Sequence, residues 1–393
     1  MDMICLAAPV WLFCVMPVTM SAPVQWLRGG QEFFPAMLGA IGNARRTLAL
    51  ETYIFADDPL GRQMLRALVL AAERGVKVRV LVDAFGSVTL PADFFNPLTG
   101  AGEVRFFNPL RFGRFGVRDH RKLLLGDDKT IFVGGANLTS DYDGDGVTRG
   151  WFDVMVRIED ATLAADLAAD FEKLFSAATF DRRPQPRLRA FRRIRREPPS
   201  ATRILSVKPG RGAGVFQRAL QHDLIQAGRA DFIMPYFLPN RRLRKLLRQI
   251  VRRGGRVRLI MPAQCDVPVA RAAGLVYYAR LMRGGVEIYE YQPQILHAKL
   301  YLVDEKVFAG SSNLDIRSFK LNYELMLRFT DAATVDGAKT IFSEALKDAR
   351  RIELKEFRQS QNFWQRWKNR WAHFLLARID PLVALRQIHP RQS

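Results

Sequence analysis

A chain of 393 residues with a 48% hydrophobic share has room for two or three packed cores, and that composition excludes a disordered or fibrous protein. Its 60 Lys and Arg against 39 Asp and Glu leave a formal charge of +21 at pH 7, which suits a polyanionic partner, either nucleic acid or an anionic membrane. Cys5, Cys14 and Cys265 show neither metal-ligand nor disulfide spacing, so nothing in the chain depends on an oxidising compartment.

The chain opens on an apolar stretch, residues 1–20, "MDMICLAAPVWLFCVMPVTM". Asp2 stands where a signal peptide carries positive charge, Pro9 and Pro17 interrupt the run, and it is short for a membrane span. A weak anchor, an unusual signal and a stretch upstream of the true start compete; domain-like sequence directly after Met20 favours the last. "EFFPAMLGAIGNARRTLALETYIF" then predicts an amphipathic helix and a strand ending near Tyr53. "LGRQMLRALVLAAERGVKVRVLVD" predicts helix, Gly turn and strand, and "GEVRFFNP" a short strand. Next comes "DHRKLLLGDDKTIFVGGAN", with His120, Lys122 and Asp127 in the frame H-x-K-x-x-x-x-D. "DYDGDG", Asp141 to Gly146, matches the opening of a calcium loop. Phe152 stands where the twelfth position requires a bidentate Glu, so the stretch reads as a flexible acidic loop.

Residues 181–203, rich in Arg and Pro, have no periodic apolar face and read as a linker. "GRGAG", Gly210 to Gly214, lacks the Lys-Ser/Thr of a phosphate loop and reads as the start of a helix. Beyond it the order of elements repeats. "GVFQRALQHDLIQAGRADFIMPYF" gives a helix and a strand ending near Tyr236, and "RRLRKLLRQIVRRGGRVRLIMP" gives helix, turn and strand. "GVEIYEYQP" is a short strand, and "LHAKLYLVDEKVFAGSSN" carries His297, Lys299 and Asp304 in the same frame. Alternating helix and apolar strand predicts an α/β layer structure in each half, residues 21–180 and 204–358. In the tail, 359–393, Phe363, Trp367, Trp371, Phe374 and Leu375 share one helical face, with Arg366, Lys368 and Arg370 between them. Aromatics with interleaved positive charge suit a helix in the headgroup layer, ahead of the alternative of a helix docked on the body.

Two of the chain's five histidines stand in this duplicated frame, which makes coincidence a poor explanation. On a strand, residues i and i+2 project to one side, so each imidazole stands beside an ammonium group. Two facing copies suit a phosphodiester. One imidazole attacks phosphorus and forms a phosphohistidine; the other protonates the departing alkoxide and then deprotonates the incoming alcohol or water. Lys122, Lys299, Asn137 and Asn313 would hold the non-bridging oxygens, with Ser311 beside them, and that much fixed positive charge requires no metal or other cofactor. A histidine base is oriented through its other nitrogen. Glu324 in "LNYELML" is the candidate for His297, and Asp153 in "WFDVMV" its counterpart for His120. Asp127 and Asp304 end their motif strands, where holding a turn competes with a chemical role.

The paired motifs resemble those of the phospholipase D superfamily. Within it, "PYFLPNRRLRKLL", "GGVEIYEYQPQILHAK" and "GSSNLDIRSFKLNYE" look most like bacterial cardiolipin synthases without a long N-terminal membrane region. The resemblance implies two similar α/β/α sandwich halves with the active site at their interface. It also implies transfer of a phosphatidyl group to the hydroxyl of phosphatidylglycerol, and catalytic roles for His120, Lys122, Asp127, His297, Lys299 and Asp304, with attack by His120. Two departures stand out: Gly134-Gly135 replaces the frequent Gly-Ser, and the second motif has one residue fewer between its Asp and Gly. The partners implied are anionic phospholipids (phosphatidylglycerol, cardiolipin) and a membrane surface, approached peripherally from the cytoplasmic side. A hydrolytic phospholipase D is the first alternative; a nuclease is the second, disfavoured by the aromatic tail.

Overall fold

The short apolar runs around each motif form the middle of two sheets. A computed structural model of the chain describes residues 24–108, 116–178, 201–210 and 213–376; the apolar stretch 1–20, most of the linker and the end of the tail lie outside the described residues. The first sheet contains β1 (Val24–Arg28), β2 (Thr47–Thr52), β3 (Lys77–Asp83), β4 (Gly102–Phe107), β5 (Leu123–Gly126), β6 (Thr130–Gly134) and β7 (Val154–Glu159). The second contains β8 (Thr202–Val207), β9 (Arg229–Ile233), β10 (Arg256–Pro262), β11 (Glu287–Tyr291), β12 (Leu300–Val303), β13 (Lys306–Gly310), β14 (Glu324–Phe329) and β15 (Ala349–Arg351).

Their orders are β1-β7-β6-β5-β2-β3-β4 and β8-β14-β13-β12-β9-β10-β11-β15, so the second sheet repeats the first strand for strand and adds β15 at one edge. In both, the three strands joined by crossover connections run parallel (β2-β3-β4, β9-β10-β11) and the others pair antiparallel. Parallel neighbours require such crossovers, whereas a tight turn suffices for the antiparallel hairpins β5-β6 and β12-β13. The chain therefore has the two similar α/β halves that the repeat implies.

Alternation decides what faces the partner half. Leu123 and Leu125 of β5, Ile131 and Val133 of β6, Leu300 and Leu302 of β12, and Val307 and Ala309 of β13 join one core shared by both halves. Their neighbours Leu124 and Phe132 enter the first half's outer core, and Tyr301 and Phe308 the second's. This is the period-two pattern of a strand buried on both faces. The helix Ala332–Lys347 also receives β1 of the other half: Trp26 donates its indole N–H to Thr334 O at 2.9 Å.

The shorter second motif has a local cause. Val303 pairs with Lys306 across a two-residue turn, whereas Gly126 pairs with Thr130 across three. Asp127, Asp128 and Asp304 take left-handed conformations there, with φ of 48°, 60° and 47°. The tail helix Phe363–Phe374 docks on the body through Asn369, Ala372 and His373, whose Nε2 lies 2.5 Å from Tyr277 Oη. Its other face stays exposed: Trp364, Trp367 and Trp371 are 71%, 51% and 48% accessible and follow one another with ring centroids 6.5 and 5.7 Å apart. The helix is thus docked on the body, through Ala372 and His373, and shows its aromatic side outward.

Candidate active site

Backbone hydrogen bonds bring the motifs together before any side chain is considered. His120 N donates to Tyr323 O at 3.0 Å, and Tyr323 N to Arg118 O at 2.8 Å. In the other copy His297 N and Ala298 N donate to Phe152 O at 2.8 and 3.0 Å, while Phe152 N donates to Ile295 O at 2.9 Å. Each motif is laced to the residue just before the buried carboxylate of the opposite half. Both His-Lys pairs consequently lie in extended segments ahead of β5 and β12, not within the strands, because their amides are used across the interface.

That lacing crosses the carboxylates over. Glu324 Oε2 lies 3.0 Å from His120 Nδ1, and Asp153 Oδ2 lies 2.8 Å from His297 Nδ1. The expectation that each half supplies its own carboxylate is corrected: each half orients the other's histidine. An ionised carboxylate can only accept, so Nδ1 carries the proton and Nε2 is the nitrogen left for a substrate. Neither half can complete its own site.

Both lysines fold back onto their own motif. Lys122 Nζ donates to His120 O at 2.7 Å, and Lys299 Nζ to His297 O at 2.5 Å. Lys299 Nζ also lies 2.7 Å from Nδ1 and 3.1 Å from Nε2 of His297. Burial dominates the titration of all four. It pulls Lys122 down to about 7, against Glu324, with the Lys299 charge adding to the fall. It pulls Lys299 down to about 8, against Asp153. His120 is lowered by burial and partly restored by Glu324, whereas His297 falls well below the usual range, with Lys299 adding to burial. Asp153 is pushed up to about 6 by burial. An anion placed among these groups reverses their desolvation penalty, so the cluster favours a phosphate.

The remaining expected residues divide. Asp127 and Asp304 are not at the pocket. Asp127 accepts from the amides of Arg45, Arg46 and Thr47, and Asp304 from those of Gly228 and Arg229. The four residues of β5 separate Lys122 from Asp127, five steps and roughly 17 Å of rise. These aspartates pin the far end of the hairpin to the start of β2 or β9, and a catalytic role for them is corrected to a structural one. Asn137 is also committed: its Oδ1 accepts from Ile54 N at 3.2 Å and its Nδ2 donates to Tyr142 Oη at 3.1 Å. Ser311 donates to Glu324 Oε2 at 2.6 Å and accepts from Leu325 N at 3.0 Å. Both position other groups rather than offering themselves to a phosphate. Asn313 is buried beside them, and its Oδ1 has no hydrogen-bond partner among the described residues.

The Gly-Gly departure is explained at Asp153. Gly135 occupies the place that Ser311 has in the other half, and a Cβ there would collide with the Asp153 carboxylate. Asp153 takes its second hydrogen bond from Val154 N at 2.7 Å instead of from a serine. The shorter acid and the missing side chain go together.

Several site residues escaped the sequence reading. Tyr142 is fully buried, with Oη 3.1 Å from His297 Nδ1, so "DYDGDG" is no flexible acidic loop. Asp145 in it accepts from the amides of Val147, Thr148 and Arg149, and Tyr291 Oη donates to Gly146 O. Trp151 covers the His297 ring at 5.7 Å between centroids, and Tyr53 stands edge-on to His120 at 5.1 Å. Tyr236 Oη donates to Asp266 Oδ2 at 2.6 Å, and Asp266 acts electrostatically on His297 and Lys299. Tyr53 and Tyr236 stand just beyond the ends of β2 and β9, equivalent strands in the repeat, the one signal that could have marked them.

A family model described as cardiolipin synthase, PLD-like domain, matches residues 37–175 and again 223–346, one match per half. Cardiolipin synthase B of Shigella flexneri is 35% identical over 311 residues, covering 77% of this chain and 75% of that one. Cardiolipin synthase A of Pseudomonas entomophila (strain L48) is 33% identical over 362 residues, covering 89% and 74%. Among solved structures, phosphatidylserine synthase of Haemophilus influenzae Rd KW20 superposes with a TM-score of 0.74 over 93% of this chain and 96% of that one, at 16% identity, a likeness of fold.

Proposed function

This chain belongs to the cardiolipin synthase family of proteins with phospholipase D-like domains, and we propose that it makes cardiolipin from two molecules of phosphatidylglycerol through a phosphohistidine. The observation that carries the reading is the crossed pair of carboxylate-bound imidazoles, each with the lysine of its own motif folded against it.

His120 Nε2 attacks the phosphorus of the first phosphatidylglycerol, and the bond to the glycerol headgroup breaks. His297 gives that alkoxide its proton, and free glycerol leaves. Asp153 supports the imidazolium His297 must be, as the arriving phosphate charge raises its pKa. The headgroup hydroxyl of a second phosphatidylglycerol then returns its proton to His297 and attacks the phosphohistidine. Cardiolipin is released and His120 is regenerated. Lys122, Lys299 and Asn313 take the non-bridging oxygens, where charge accumulates in both steps. Assignment of attack to His120 is supported by its greater exposure, 13% of the side chain against 5% for His297.

The reading places the enzyme peripherally on a membrane. Among the described residues no helix is long and apolar enough to cross one, and the exposed Trp364, Trp367 and Trp371 suit the interface. The anionic cytoplasmic leaflet matches the charge of +21. Purified enzyme on phosphatidylglycerol vesicles should yield cardiolipin and glycerol, identified by mass spectrometry. His120→Ala and His297→Ala should each abolish turnover, and their effects should not add. Phosphatidic acid as the main product would make the enzyme a hydrolase, and cleavage of single-stranded DNA with no lipid product would make it a nuclease.

A further inference from the structure

The helix Arg241–Arg252 buries Leu243, Leu246, Leu247 and Ile250. The same periodicity turns Arg241, Arg244, Lys245, Arg248 and Arg252 to one outer face. Across a groove stands the short helix Tyr278–Met282, which brings Arg280 and, just after it, Arg283. Two adjoining cavities result. One, of about 340 Å³, is lined by Arg241, Arg244, Lys245, Arg248 and Arg280. The other, of about 440 Å³, is lined by Arg248, Arg252, Arg280 and Arg283. Arg248 and Arg280 serve both.

Among the described residues, none of these seven cations forms an ion pair with a carboxylate, although most exposed acids elsewhere have found a basic partner. Arg244 is lowered by burial, and the charges of Arg280, Arg241 and Arg248 lower it further. Like charges held this close without a counter-ion cost stability, and a bound anion relieves the cost. The groove shares no residue with the cluster around His120 and His297. It is joined to the exposed aromatic helix through one side chain: the Arg244 guanidinium lies 4.4 Å from the Tyr277 ring centre, and Tyr277 Oη meets His373 Nε2.

We propose that the paired cavities form a second, non-catalytic lipid site, in which an anionic phospholipid bearing two phosphodiester groups places one in each cavity while the neighbouring tryptophans enter the bilayer interface. Arginine forks at the shared wall hold both phosphates. The acyl chains of such a ligand remain in the membrane, and its phosphates meet the cations of the groove. Exposed tryptophans suit the bilayer interface but also stack single-stranded bases, so single-stranded DNA is one arm of the test.

The test is co-flotation of the full chain with phosphatidylcholine vesicles carrying either cardiolipin or phosphatidylglycerol at equal total charge. Wild type should bind the cardiolipin vesicles more tightly. Arg248→Gln/Arg280→Gln should lose that preference and weaken binding about fivefold per charge removed. A control that removes exposed charges from the other half, Arg66→Gln/Lys129→Gln, should keep the preference. Turnover of a soluble short-chain phosphodiester, unchanged in both variants, shows that each is folded and that the reaction site is separate. Equal losses in variant and control, or no preference in wild type, would overturn the proposal. So would loss of single-stranded DNA binding in the groove variant with vesicle binding intact. The binding arms stand or fall independently of whether cardiolipin is the reaction product.

Discussion

Replacing Glu324 by Gln tests the crossed wiring directly. The substitution keeps the size of the side chain and leaves an oxygen for Ser311, but removes the charge 3.0 Å from His120 Nδ1. A hydrogen bond to a charged partner contributes about 1.5–3 kcal/mol, and one pKa unit corresponds to about 1.36 kcal/mol. Glu324 is the charge that holds His120 up against burial. Its loss should therefore lower the His120 pKa further, while His297, bound to Asp153, moves little. An NMR titration of nitrogen-labelled histidine reads this, since the chain has five histidines and each signal is assigned by its own substitution. The positive charge that develops on His120 during attack loses the same support, so kcat/KM should fall about tenfold to a hundredfold. A shift at His297 instead of His120 would mean that each half orients its own histidine. No shift at either would refute the coupling altogether.

Two further outcomes follow from burial at the same site. Lys122 has a folded pKa of about 7 against an ordinary value of 10.5, so folding favours its neutral form. That penalty is full below pH 7 and fades as pH rises toward 10.5. Lys122→Met should accordingly be inactive yet melt a few degrees higher than wild type at pH 7, with the margin shrinking at alkaline pH; an unchanged or lowered Tm counts against a strained lysine. Gly135→Ser, which restores the commoner Gly-Ser pair, should lower Tm and turnover together because its Cβ meets Asp153. Gain of activity in that variant would show that the missing hydroxyl, not the space, is what matters.

Much of this was legible in the sequence because periodicity and repetition are local. The strands, the helices between them and the duplicated order follow from apolar spacing, and His120, Lys122, His297 and Lys299 from two copies of one frame. The crossing could not be read. Asp153 and Glu324 were recognisable as charges in apolar runs, but which histidine each serves depends on hydrogen bonds between residue 323 and residues 118–120 and between residue 152 and residues 295–298. No spacing records contacts of that range. Asp127 and Asp304 misled for the opposite reason: they lie within the frame, yet one strand's length carries them to its other end, where left-handed turns aim their carboxylates at backbone amides. Tyr142 was hidden by composition, an aromatic within an acidic loop that looks solvated.

The duplication also leaves the two histidines unequal, and the inequality points in one chemical direction. His120 is backed by a longer acid that Ser311 and Asn322 hold with hydrogen bonds at 2.6 and 3.3 Å, and it has the edge of Tyr53 beside it. His297 has a shorter acid pressed against Gly135, with Tyr142 and Trp151 enclosing the ring. A nucleophile must reach phosphorus and then carry it as a stable adduct, which suits the more accessible ring with the firmly held carboxylate. A general acid and base must change protonation within each cycle. That suits a ring whose partner, at about 6, titrates near neutrality and whose own charge burial opposes until phosphate arrives. On the assignment proposed here, two copies of one motif take different tasks from their surroundings alone, through one methylene, one hydroxyl and the aromatic wall that each half builds around the other's histidine.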